Sequence, residues 1–176
     1  MNVNTQTNRL ILRPAKSQDA KILAEKRSQP FVLKYNLYLP CSEEQILAEI
    51  DDYPLVILQK KDDNQLIGAV SIREDSFRYH VNAIELQFWL EEKYSQQGYM
   101  TEALEKIICD IFYSTDTEQI SIKVFSKNLA SLKLAEKLSF DKEGYLKNAV
   151  KNSNGKTFDL VLFSLSKNDY LAKHSK

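Results

Sequence analysis

Apolar positions recur along the chain with two different periods. Ala103, Leu104, Ile107, Ile108, Ile111 and Phe112 follow the i, i+1, i+4, i+5 spacing of one buried helical stripe, which predicts a long helix from about Gly98 to Tyr113. Ile120, Ile122 and Val124 alternate instead, as in a strand over Ile120–Phe125. Arg9–Arg13 reads as a short strand stopped by Pro14. Ser17 can cap a helix reaching about Ser28, with Ala20, Ile22, Leu23 and Ala24 on its apolar face and Pro30 ending it. Ser42-Glu43-Glu44-Gln45 has the form of a capping box and starts a second helix carrying Ile46, Leu47 and Ile50.

Strands are predicted at Leu55–Gln59 and Leu66–Arg73, joined by the polar hairpin turn Lys60–Asn64. A loop, Glu74–His80, leads to a strand at Val81–Leu90. A further helix spans about Asn128–Leu138. Two last strands, Gly144–Lys151 and Thr157–Leu165, flank the turn signal Asn152-Ser153-Asn154-Gly155. Phe31–Pro40 is aromatic and irregular, and residues 1–8 and 172–176 are expected to fray. The order β-α-α-β-β-β-α-β-α-β-β mixes hairpins with strand–helix–strand units. It predicts an α/β (mixed α+β) fold: a mixed sheet of about seven strands flanked by about four helices.

Composition narrows the function classes. A length of 176 residues fits a single domain over 1–176. Lys plus Arg number 24 and Asp plus Glu number 24, and no basic run exceeds two residues. That balance argues against a nucleic-acid partner, which calls for a basic excess. The two cysteines, Cys41 and Cys109, have no His or Cys at metal-ligand spacing, so no metal is expected and free thiols in a cytoplasmic protein are the plain reading. No apolar run approaches the ~18 residues of a membrane span. Four glycines stand where an average composition gives about twelve, so each is expected to mark a backbone need.

Two segments could carry chemistry. In the first, the strand ending Glu85-Leu86-Gln87-Phe88-Trp89-Leu90 passes through a turn to Gly98-Tyr99-Met100-Thr101 at a helix start. Helix N-termini present unpaired N–H groups that suit a phosphate, and a single glycine also serves any ordinary strand–helix turn. In the second, Asn128 and Ser131 are three apart on one helix face; each also reads as a helix-start residue, Asn128 as the N-cap.

Taken in order, these segments resemble the GNAT N-acetyltransferase superfamily over nearly the whole chain, and within it the ribosomal-protein N-terminal acetyltransferase branch and its small-amine relatives. The resemblance rests on Thr7-Asn8-Arg9-Leu10-Ile11-Leu12-Arg13-Pro14, on Glu85–Leu90, and on Gln97–Leu104, which is similar to an acetyl-CoA pyrophosphate loop. It rests further on Asn128-x-x-Ser131, Glu136-Lys137-Leu138-Ser139-Phe140 and the strand Asp159–Leu165. It implies a single bent, mostly antiparallel sheet with two central strands splayed apart. Acetyl-CoA would pair its pantetheine arm with the strand ending at Trp89 and Leu90. Its pyrophosphate would sit on the backbone of Gln96, Gln97, Gly98, Tyr99, Met100 and Thr101, and Asn128 would bond the pantetheine arm. The chain departs from the family pattern at Gln96 (normally Gly), Met100 (Gly or Ala), Ser139 (Gly), Ala135 (a Tyr acid in many relatives) and Val150 (a catalytic Glu in the ribosomal branch).

The implied activity moves an acetyl group from acetyl-CoA to a primary amine, a protein N-terminus or a small amine, by direct attack on the thioester. Such a reaction needs an amine freed of its proton, a donor for the carbonyl oxygen and an acid for the thiolate. Glu85 is the candidate base, acting through water, or else a salt-bridged strand carboxylate. A backbone N–H near Leu90 is the candidate oxyanion donor, and Ser131 matches the thiolate acid of the ribosomal branch. Tyr145, Tyr79 and Tyr113 are weaker candidates for the acid. Phe31, Tyr35, Tyr38 and Tyr79 are candidates for the acceptor pocket or for a rim or dimer contact in a monomer or homodimer. The competing reading is a weak or inactive CoA-binding relative that binds a ligand or a protein.

Overall fold

The computed structural model describes residues 3–34, 36, 39–152 and 154–174. Its elements are β1 (Thr5–Gln6), β2 (Leu10–Pro14), α1 (Ala20–Arg27), α2 (Pro30–Lys34), α3 (Glu43–Asp52), β3 (Leu55–Lys60), β4 (Leu66–Glu74), β5 (Ala83–Leu90), α4 (Tyr99–Ser114), β6 (Gln119–Phe125), α5 (Leu129–Lys137), β7 (Asp141–Lys151), β8 (Thr157–Ser166) and α6 (Lys167–His174). The strands form one sheet in the order β1-β2-β3-β4-β5-β6-β8-β7. Only β5 and β6 run parallel; every other neighbouring pair is antiparallel. The mixed, mostly antiparallel sheet matches the expectation from the sequence.

The described residues hold eight strands and six α-helices, more than the seven and four expected. Thr5–Gln6 pairs with Leu12 and Ile11, a two-residue edge too short to show a period. Pro30–Lys34, within the segment read as irregular, is a short helix with Pro at its first position that buries Val32 and Leu33. Tyr35 and Tyr38 lie outside the described residues. The last helix, α6, is anchored by the single buried Tyr170, whose ring lies 5.1 Å from Phe112, so it has no apolar stripe to betray it. Ser17 does not cap α1. Asp19 takes that corner instead, accepting from Arg13 at 2.8 and 2.9 Å and from the Lys16 N–H at 2.8 Å. The capping box at α3 forms as expected, with Ser42 and Gln45 bonding each other's backbone N–H groups.

The sheet is covered on both faces. On one, the α4 stripe packs on Leu12, Leu58, Val70, Leu86, Ile122 and Phe163. All six residues of the stripe are buried, and Met100 joins them. Burial at this level stabilises by about 1.5–3 kcal/mol for each large apolar side chain. On the other face α1, α2 and α3 cover Leu55, Ile57, Ala69 and Trp89. β7 closes the sheet as an exposed edge strand, with register shifts at Lys142/Gly144 and Leu146/Val150.

β5 is held on its β4 side along its whole length, from Ile84 opposite Glu74 to Leu90 opposite Gly68. On its β6 side the ladder contains only Ala83–Gln119, Ile84–Ile120 and Glu85–Ser121. Past Glu85 the two central strands separate. Gly68 makes the β4 side close: a Cβ there would come 2.4 Å from the Trp89 carbonyl oxygen. At Gly144, by contrast, a Cβ would meet only the Leu162 side chain at 3.5 Å, so not every glycine answers a backbone need. Gly68→Ala is therefore expected to lower stability by about 1–3 kcal/mol, the cost of overpacking. The check is the denaturant midpoint at unchanged m-value; a parental midpoint would mean that β4 and β5 can part freely.

Candidate active site

The separation of β5 from β6 leaves backbone groups open in the middle of the sheet. The Glu91 N–H donates to the Ile67 carbonyl on the β4 side at 2.9 Å. Alternation along a strand then turns the N–H and C=O of Leu90 and Phe88 the other way, into the split. This is the geometry in which an extended ligand can take the place of a strand.

At the open end of the split, β5 gives way to a 3₁₀ turn at Glu92–Tyr94 and then to the head of α4. Two residues here are left-handed: Gln96 at φ 60° and Gly98 at φ 81°. Left-handed residues that alternate with an ordinary one in a turn direct N–H groups toward one side, an arrangement that forms anion-binding concavities. The sixteen-residue α4 adds its N-terminal partial charge. Gln96 thus adopts the conformation for which glycine is usual. The same holds at Ser139, φ 63°, which closes α5. There the Ser139 N–H reaches the Glu136 carbonyl and the Phe140 N–H the Ala135 carbonyl, both at 3.0 Å, a Schellman ending with serine in the glycine position.

A cavity of about 650 Å³ opens between this loop, the end of β5, α2 and α5. Trp89 and Leu90 line it from β5, and Gln96, Gly98, Tyr99, Met100 and Thr101 from the loop and α4. Asn128 and Ser131 line it from α5, and Phe31 from α2. Gln97 does not: its side chain donates to the Lys93 carbonyl at 2.7 Å. Asn128 caps α5, its Oδ1 accepting from the Ser131 N–H at 3.2 Å, which leaves its amide group for a ligand. Lys127 and Lys133 also line the cavity. No motif singles out either lysine, although Lys127 directly precedes Asn128 and Lys133 lies two residues past Ser131. With the α4 terminus they make the cavity electropositive, suited to an anionic ligand.

Glu85 is not among the residues lining the cavity. Its buried carboxylate accepts from Lys123 Nζ at 2.5 Å and from the Gln87 amide at 3.0 Å, and Phe77 lies 4.3 Å from the lysine nitrogen. Glu85 is also the last residue of β5 paired to β6, so it stands at the closed end of the split. The three tyrosines weighed as acids lie elsewhere. Tyr145 donates to Asp159 at 2.5 Å, a bond that raises the phenol above its usual range. Tyr79 is 82% exposed in the β4–β5 loop, and Tyr113 is exposed at the end of α4. Ala135 is wholly buried and brings no proton donor to that point of α5. Val150 packs beside Phe125, Phe158 and Leu160. Among the described residues, no group of three or more His, Cys, Asp or Glu could hold a metal, and no helix is long and apolar enough to cross a membrane.

The family model described as an acetyltransferase (GNAT) domain matches residues 9–141. Among curated proteins, the chain is 30% identical to an uncharacterized N-acetyltransferase, p20, of Bacillus licheniformis, over 93% of this chain and 96% of that one. It is 26% identical to the uncharacterized N-acetyltransferase YoaA of Bacillus subtilis, over 92% and 96%. Among solved structures, the ribosomal-protein-S5-alanine acetyltransferase of Vibrio fischeri superposes with a TM-score of 0.82 at 21% identity, covering 96% of this chain and 99% of that one. At that identity the likeness is one of fold.

The left-handed backbone at Gln96 and Ser139 fixes the sign of a substitution. Glycine relieves a strain of about 1–3 kcal/mol at such a position and adds unfolded-state entropy worth about 0.4–1 kcal/mol. Gln96→Gly and Ser139→Gly are each expected to raise stability slightly, by up to about 1 kcal/mol. Thermal unfolding checks this, and a lower midpoint in both variants would contradict it.

Proposed function

The chain belongs to the GNAT acetyltransferase family, and from that premise we propose that it moves an acetyl group from acetyl-CoA to a primary amine by direct attack. The observation that carries the finer reading is the split between β5 and β6, with the left-handed loop and the electropositive cavity at its open end. A long, thin ligand with amides along its arm and a diphosphate at one end matches those groups in order. The Leu90 carbonyl would meet an amide of the arm. The Gln96–Thr101 backbone would meet the diphosphate, and Lys127 or Lys133 would meet further negative charge.

Acetyl-CoA supplies an acyl group activated as a thioester. The residues of this chain orient it and handle protons. The Leu90 N–H, turned into the split, donates to the carbonyl oxygen as charge develops there. The amine nitrogen forms its bond to the carbonyl carbon, the C–S bond breaks, and the Ser131 hydroxyl donates a hydrogen bond to the leaving thiolate, which then takes its proton from solvent. We assign the amine's proton to Glu85 through a water molecule, from its place at the closed end of the split. Two of the departures from the family pattern weigh less, because Gln96 and Ser139 take the glycine conformation without glycine. The acceptor class is a protein N-terminus or a small amine. The Vibrio fischeri protein of this fold is named for the alanine of ribosomal protein S5, which makes protein N-termini the first acceptors to try.

Acetyl-CoA at a hundred times its dissociation constant is expected to stabilise the protein by about 2.7 kcal/mol. A thermal shift measures this, and a panel of amines with thiol-release detection identifies the acceptor. No shift at millimolar acetyl-CoA would sink the proposal. Ser131→Ala should lower kcat about tenfold or more with little change in acetyl-CoA affinity, and Glu85→Gln should flatten the acidic limb of the rate profile. Unchanged kinetics would return Ser131 to the helix and Glu85 to its ion pair.

A further inference from the structure

Arg9, at the corner between β1 and β2, is tied to the head of α4 by its guanidinium. Its Nε donates to Glu102 Oε2 at 2.7 Å and its Nη1 to the Gln97 carbonyl at 2.9 Å. The guanidinium carbon lies 4.1 Å from the centre of the Tyr99 ring. A Cβ on Gly98 would stand 3.4 Å from its Nη2. Glu102 holds the corner from below, accepting from the Arg9 N–H at 2.8 Å and from the Thr7 hydroxyl at 2.5 Å. Burial alone would raise the Glu102 carboxyl, but Thr7 and Arg9 together hold it below its ordinary value of 4.5. Its contribution to stability is therefore full well above pH 4.5 and is lost as pH falls through the lower folded value.

The bond to the Gln97 carbonyl has a direct consequence at the loop. Carbonyl and N–H of one trans peptide point in opposite directions. A Gln97 carbonyl fixed toward Arg9 turns the Gly98 N–H away from Arg9. Arg9 does not line the cavity, whereas Gly98 does. We propose that Arg9 is a positioning residue for the anion-binding loop, holding the Gln97–Gly98 peptide plane so that the Gly98 N–H faces the diphosphate of the acyl donor. The inference rests on the reading of the cavity as an acetyl-CoA site. Arg9 acts there through the backbone, without touching the ligand. Lysine is a poor substitute, because one ammonium cannot hold Glu102, the Gln97 carbonyl and the Tyr99 face in the geometry of a planar fork.

The test compares a ligand that has the diphosphate with one that lacks it. Dissociation constants of CoA and of pantetheine are measured by protein-observed NMR titration on the parent, Arg9→Ala and Arg9→Lys, with melting temperatures recorded for each. Arg9→Ala is expected to weaken CoA about tenfold, the worth of one hydrogen bond to a charged group, and to leave pantetheine unchanged. Arg9→Lys should fall between the two, and it carries the same comparison if Arg9→Ala does not fold. An unchanged CoA affinity overturns the positioning role. An equal loss for both ligands also overturns it, since that is what general loosening of the fold produces. A parent that fails to bind CoA overturns the acetyl-CoA reading and this inference with it. A parent that binds CoA, with variants that do not discriminate, overturns the inference alone.

Discussion

Parallel strands β5 and β6 exchange hydrogen bonds only at Ala83–Glu85, and a sheet that stops a central ladder halfway must find other partners for the backbone groups left open. The rest of the fold is arranged around that interruption. β4 holds β5 straight on the opposite side, and the close approach at Gly68 lets it do so. α4 spans one face, its buried stripe reaching both β2–β4 and β6. α1–α3 cover the other face at Trp89. Neither half of the sheet can swing to close the split without breaking one of these layers, so the open groups stay available at little reorganisation cost. That is the condition under which backbone donors are most effective toward a ligand.

The termini of the two helices beside the split follow the same logic by different means. α4 begins with left-handed Gln96 and Gly98, and α5 ends with left-handed Ser139. Two of these three positions carry side chains that disfavour the conformation. Each is over-determined by its surroundings, Ser139 by the two Schellman hydrogen bonds and the Gln96 loop by Gln97, Lys93 and Arg9. The strain is small beside the burial of the α4 stripe, which explains how a chain poor in glycine still makes a glycine-type loop.

How far this was legible in the sequence depends on whether a feature is local or periodic. The α4 stripe, the α3 capping box and the β3–β4 hairpin are periodic or local, and they stand where the residues implied. Thr5–Gln6, Pro30–Lys34 and Lys167–His174 are short and held by contacts with distant parts of the chain, and no period encodes them. The loop at Gln96–Thr101 and the pair Asn128 and Ser131 could be found because motif order carries them, and the structure brings them to one cavity. Glu85 shows the limit. Its partner Lys123 lies on another strand, so the ion pair that occupies its carboxylate is invisible until β5 and β6 are paired. Arg9 is a second case, since only the fold sets it against Gln97 and Glu102, and Lys127 and Lys133 are a third.

The two borders of the sheet differ from its centre in what they offer a neighbouring chain. On one side β1 is two residues long. On the other, β7 has eleven residues and free ladder groups, but it shifts register twice, carries a left-handed Asn148, and places Lys142, Lys147 and Lys151 along its exposed length. A strand from another molecule would find neither a flat template nor an uncharged one. Growth of the sheet from chain to chain is blocked at both borders, so the protein can keep an unpaired seam inside its fold without presenting a second one outside, where it would seed aggregation.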